Sequence, residues 1–226
     1  MALTDTQRAT YQVVLGLLKG GRGLLFGSAD AALPPRTSKV IAGDDLIPQF
    51  GFVGRDYESR RILIIGINPG NGPDGSRTLS DDEMMPALHR FVAEPTEVTY
   101  EAASLAQAKA FPNWLASKEI GPILEAEGLT TNDVAYANAS PYRAGNGEAK
   151  DAFPNQRRIR AAADAWLSPL LRALMPRVVL AHGQVAANVL VHCTFPTVPI
   201  VYNRNRNLRA RSAANAEFVT RLRAAL

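Results

Sequence analysis

The chain has 226 residues, 46% of them hydrophobic, and a formal net charge of +4. That is enough for one α/β domain with a real core, and the basic balance is compatible with a polyanionic partner. A single cysteine, Cys193, excludes an intrachain disulfide, a cysteine zinc site and an iron–sulfur cluster. No stretch reaches the ~18 apolar residues needed to span a membrane, and the first residues lack the basic-then-apolar pattern of a signal peptide. The expected setting is a reducing cytoplasm.

In chain order, Asp5 is placed to cap a first helix running to about Leu18, ended by Gly20-Gly21. A loop rich in Pro, Ala and Gly follows. Residues 1–50 are thus expected to be a helix-and-loop extension of a single domain spanning 1–226. Residues 61–67 are short, β-branched and continuously apolar, as suits a strand buried on both faces. They run straight into Asn68-Pro69-Gly70-Asn71-Gly72-Pro73, too rich in proline and glycine for strand or helix. Helices are expected at 80–93, 113–127 and 157–174, with a second strand at 133–138. A third strand at 177–183 leads into a helix from 184. A short fourth strand at 198–201, a basic loop and a last helix close the chain. Alternation of strand and helix predicts a three-layer α/β/α sandwich around a central, mainly parallel four-stranded sheet. A ligand site then lies beyond the C-terminal strand edges, where the loop after Ile67, Asn138 and the loop after Val201 all fall.

A side chain just past a buried strand is held rigidly. The carbonyl oxygen of Asn68 can orient a water without a shifted pKa, and Pro69 and Gly70 fix a turn and allow close approach of a ligand; the alternative is a structural turn capped by Asn68. Asn138 offers a donor and an acceptor, so it can pair with a base edge, and the flip state of its amide decides between a uracil-like and a cytosine-like edge. The alternative is an asparagine satisfied by backbone.

Gly66-Ile67-Asn68-Pro69-Gly70 resembles the first motif of the mismatch-specific uracil/thymine branch of the uracil-DNA glycosylase superfamily. Residues 134–138 resemble the second strand of that superfamily, which ends in asparagine, and 178–187 resemble its strand–glycine–helix segment. The resemblance covers roughly residues 50–226. It implies that Asn68 positions the attacking water, that Asn138 holds the edge of a flipped pyrimidine, and that Gly66, Ile67, Pro69 and Gly70 line the base site. The strictly uracil-specific branch has a tyrosine at the position of Gly70; glycine implies room for a 5-substituent, unless Phe111, Trp114 or Tyr142 refills it. Phe111 is also a candidate to stack on the base.

The last motif departs from the family. Where a His-Pro-Ser-type loop is usual, this chain has Tyr202-Asn203-Arg204-Asn205-Arg206-Asn207-Leu208-Arg209-Ala210-Arg211. An amide or guanidinium, Asn203 among the candidates, would then stabilise the departing base, or His182 at the end of the third strand replaces the missing histidine. Arg204, Arg206, Asn207, Arg209 and Arg211 suit DNA phosphates, and Leu208 suits a wedge in the base stack; the alternative is a solvated basic loop. Asp74 is a further candidate for water activation. No grouping has metal-ligand spacing, and no cofactor is expected.

The expected reaction is base excision from DNA by a monomer, leaving an abasic site in an unbroken strand, since no motif lysine offers a Schiff base. Other readings are a defence glycosylase for bulky hypermodified cytosines of phage DNA, a non-catalytic binder of damaged or abasic DNA, and an enzyme of free nucleosides.

Overall fold

The computed structural model describes residues 2–21, 23–26, 44, 47–67, 69, 79–143, 153, 155–195, 198–203 and 208–226, with only the backbone of Phe26, Leu79 and 208–214. Five strands form one sheet in the order β1-β3-β2-β4-β5. They are β1 (Phe52–Val53), β2 (Ile62–Gly66), β3 (Val134–Asn138), β4 (Val178–His182) and β5 (Ile200–Tyr202). The last four run parallel, and β1 is antiparallel to β3.

The four expected strands are present, and the sheet has one more. At two residues, β1 is too short to leave a periodic pattern. It is fixed from outside: the Gln107 side chain accepts from Gly51 N–H at 2.9 Å and donates to Gly51 O at 2.7 Å. Gly51 has φ of +89°, and a Cβ there would lie 1.8 Å from the Tyr136 carbonyl oxygen, so only glycine fits. The fourth expected strand is displaced towards the C-terminus, to Ile200–Tyr202, because Pro199 has no N–H to give to the ladder.

Helix α1 (Asp5–Gly20) is capped by Thr4 rather than Asp5. The Thr4 hydroxyl accepts from Gln7 N–H at 3.2 Å and Gln7 Oε1 accepts from Thr4 N–H at 3.0 Å, a reciprocal capping box. One turn, α2 (Gly23–Phe26), follows it, and α3 (Tyr57–Arg60) links β1 to β2. Helices α4 (Leu79–Ala93) and α6 (Leu115–Ala126) match the expectation. Helix α5 (Glu97–Ala110) does not: buried Thr99, Ser104 and Gln107 interrupt its apolar stripe. The expected helix at 157–174 is α7 (Gln156–Ala162) and α8 (Ser168–Leu174), joined by a π-helical turn at Ala163–Leu167. The chain ends with α9 (Gln184–Leu190) and α10 (Leu208–Ala225).

Alternation sorts the strand residues into two layers. Leu63, Ile65, Ala135, Ala137, Val179 and Ala181 pack with α1, α4, α5, α8 and α9. Ile62, Ile64, Val134, Tyr136, Val178, Leu180, Ile200 and Tyr202 pack with α6 and α10. The result is an α/β/α sandwich with a mixed, mostly parallel sheet.

Candidate active site

The parallel register aligns the strand ends. Gly66 pairs with Asn138, His182 pairs with Tyr202, and Ile65 pairs with Ala181, which sets Gly66 beside His182. Asn138, Gly66, His182 and Tyr202 therefore form one row across the C-terminal edge, on the face covered by α6 and α10. Pairing continues past the strands: Ala139 N–H donates to Gly66 O and Ser140 N–H to Ile67 O, each at 2.9 Å. The segments leaving β2 and β3 are thus bonded side by side up to the residue preceding Asn68.

Asn138 is 3% exposed. Its Oδ1 accepts from the Tyr136 hydroxyl at 2.8 Å. Its main-chain oxygen accepts from Trp166 Nε1–H, also at 2.8 Å, delivered through the opposite layer by the π-helical turn. Its Nδ2 has no hydrogen-bond partner among the described residues. Gly66 makes this arrangement possible: a Cβ there would lie 2.1 Å from the Tyr136 hydroxyl and 2.7 Å from Asn138 Oδ1. The first glycine of the motif is required by a tyrosine on the neighbouring strand.

Further along the row, His182 Nε2 lies 2.6 Å from Glu119 Oε2 of α6, and the two side chains are 5% and 13% exposed. The His182 ring also packs against Tyr202, with centroids 5.8 Å apart. A carboxylate at this distance fixes which ring nitrogen faces α6.

Beside the row, Arg143, 1% exposed, pairs with Asp81 in the first turn of α4. With the Gln49 amide turned so that its oxygen faces the guanidinium, that oxygen accepts from Arg143 Nε and Nη2 at 3.1 Å each. Gln49 N–H in turn donates to Pro141 O at 2.7 Å. Two buried charges are costly to desolvate, and apolar residues would pack the same space at less cost. Here the pair ties the segment after β3 to the helix that follows the β2 loop.

The remaining candidates separate. Ile67 is half-buried and Pro69 buried, while Asn68, Gly70 and Asp74 lie outside the described residues, as do Arg204, Arg206 and Asn207. Phe111 is a core residue, 3% exposed, with its ring 5.2 Å from Phe52, 5.0 Å from Tyr136 and 5.7 Å from Trp114. Asn203 N–H donates to Asn215 Oδ1 of α10 at 3.1 Å. The same residue lines a cavity of about 260 Å³ with Gln184, Glu217, Phe218 and Arg221. Leu208, Arg209 and Arg211 were expected in a basic loop; their backbone instead belongs to the start of α10, so the loop is shorter than its charge pattern implies. Tyr136, Glu119, Asp81 and Arg143 escaped the sequence reading. Among the described residues, no group of three or more His, Cys, Asp or Glu could hold a metal ion. No helix among them is long and apolar enough to cross a membrane.

A family model described as the uracil DNA glycosylase superfamily matches residues 54–224. The span begins just after β1 and takes in every residue of the row. Comparison with curated proteins gives no match.

Proposed function

The chain belongs to the uracil-DNA glycosylase superfamily, whose members are DNA glycosylases, and from that membership we propose a monofunctional enzyme that flips a base out of DNA and hydrolyses its N-glycosidic bond with a water. The observation that carries this reading is the buried polar row, Asn138 with Tyr136 and His182 with Glu119, on a sheet face whose other strand side chains, Tyr202 apart, are apolar. Buried polar groups are costly unless a structure or a ligand uses them, and this row stands where parallel sheets bind ligands.

Each residue has a role. Asn138 bonds the edge of the flipped base. Asn68, following two residues whose carbonyl groups are tied to the β3 segment, places the attacking water under the sugar as it becomes oxocarbenium-like. As the bond breaks, the base leaves as an anion. His182, oriented by Glu119, stabilises that charge and so replaces the histidine missing after β5. Asn203, at the same strand edge, is a second donor on that side. Arg204, Arg206, Arg209 and Arg211, with Asn207, hold phosphates, and Leu208 fills the space the base has left. The enzyme works without a cofactor, as a monomer in the cytoplasm, and accepts 5-substituted pyrimidines through the space left at Gly70.

The test is base release from duplexes bearing uracil, thymine mismatches, hypoxanthine and 5-modified cytosines, scored by strand cleavage. Cleavage only after alkali is the expected result. Asn68→Ala is expected to lower release by about 10³-fold or more while leaving binding to an abasic-site analogue intact. Cleavage without alkali would overturn the monofunctional mechanism, and tight binding with silence across the panel would mean a non-catalytic binder.

A further inference from the structure

The Asn138 side chain is more than nine-tenths buried, yet only its oxygen is bonded; the amide nitrogen has no partner among the described residues. Buried polar atoms in native structures are bonded as a rule, so an exception at a strand end marks a place where a ligand supplies the missing acceptor. The oxygen has a fixed neighbour. The Tyr136 hydroxyl sits 2.8 Å away, and Tyr136 is itself anchored by Phe111 and Trp114, with ring centroids 5.0 and 5.1 Å distant.

We infer that Tyr136 is a specificity-determining residue: its hydroxyl fixes the flip state of the Asn138 amide and so decides which pyrimidine edge the site accepts. The inference rests on the reading that the site takes a flipped base. An asparagine amide is nearly symmetric in shape and opposite in hydrogen-bond sense at its two ends. Uracil and thymine present N3–H beside a 4-carbonyl; cytosine and 5-methylcytosine present a bare N3 beside a 4-amino group. One orientation of the amide meets one edge in register, and the turned orientation meets the other. As the amide stands, the hydroxyl donates to Oδ1. A turned amide would place Nδ2–H on the hydroxyl oxygen and take away the acceptor its proton now uses. The hydroxyl therefore favours one orientation, and without it the amide turns to suit either. Gly66 belongs to the same device, because its missing side chain is where the hydroxyl sits.

The experiment compares single-turnover base release from two matched pairs of duplexes, uracil against cytosine and thymine against 5-methylcytosine, by the wild-type protein and by Tyr136→Phe. The wild-type protein is expected to prefer one edge type in both pairs. Tyr136→Phe, which keeps the packed ring, is expected to shrink that preference at least tenfold, mainly by gaining on the disfavoured edge, with a melting temperature close to wild type. Gly66→Ala, which displaces the hydroxyl from the other side, is expected to shrink it likewise. Wild-type release with a ratio untouched by Tyr136→Phe overturns the inference alone. No release from any duplex by the wild-type protein overturns the proposed function, and the inference falls with it.

Discussion

The two faces of the sheet bury different things. Towards α1, α5 and α8, the strands offer Leu63, Ile65, Ala135, Ala137, Val179 and Ala181, and the layer is filled by Val14, Leu17, Phe91, Tyr100, Leu167 and Leu170. Towards α6 and α10 the same strands alternate Ile62, Ile64 and Leu180 with Tyr136, Asn138, His182 and Tyr202. To one face the strands contribute only apolar side chains; the other is apolar at its base and polar at its C-terminal rim. The pleat alone separates the two tasks, since neighbouring residues of one strand face opposite ways. Stability is therefore expected to follow one face and chemistry the other.

Substitutions on the two faces should divide accordingly. Asn138→Ala is expected to lower base release by on the order of 10²–10³-fold, with thermal unfolding little changed. Its counterpart, Phe91→Ala, is expected to cost about 3–5 kcal/mol of stability by chemical denaturation, while the fraction still folded turns over at the wild-type rate. If the two variants cannot be told apart by these measurements, the division is wrong. A smaller effect sharpens it. Glu119→Gln keeps shape and burial but removes the charge facing His182; release is expected to slow by about tenfold at constant affinity for an abasic-site analogue.

The smallest expected effect belongs to the apolar face and is set by alkali. Burial pushes the Cys193 thiol from 9.0 up to about 11, and desolvation holds the Tyr57 and Tyr100 phenols well above their ordinary 10.0. All three prefer the protonated form when folded. Their contribution is fully present below about pH 9 and is lost as the pH rises through the raised values. A midpoint of urea unfolding that falls between pH 9 and 11 is the expected result; a flat profile would remove these groups from the account.

Much of the apolar face was legible in the sequence. Residues 61–67 and 177–183 announced β2 and β4 by short apolar runs rich in isoleucine and valine. Asn138 and His182 were identifiable as strand ends. The residues that complete them were not. Tyr136 looked like one more apolar strand residue, and its bond to Asn138 depends on the empty position at Gly66 one strand away. Glu119 lies 63 residues from His182 and Asp81 lies 62 from Arg143. No local period carries such pairs; only the fold brings them together. Helix α5 was hidden for a related reason, since Gln107 spends its polarity on Gly51 and so looks solvent-facing in sequence.

The Ala139 and Ser140 amides, bonded to Gly66 and Ile67 beyond the end of regular strand, have a consequence for the cost of recognition. A deuterium-exchange map should find them slow, although they lie in what is formally a loop. On the proposed function, backbone held by these bonds before DNA arrives would have less entropy to lose when a base is captured, so less of the affinity gained at Asn138 would be consumed in ordering its surroundings. The stiffness of a few residues past the strands would then be felt as tighter holding of the flipped base.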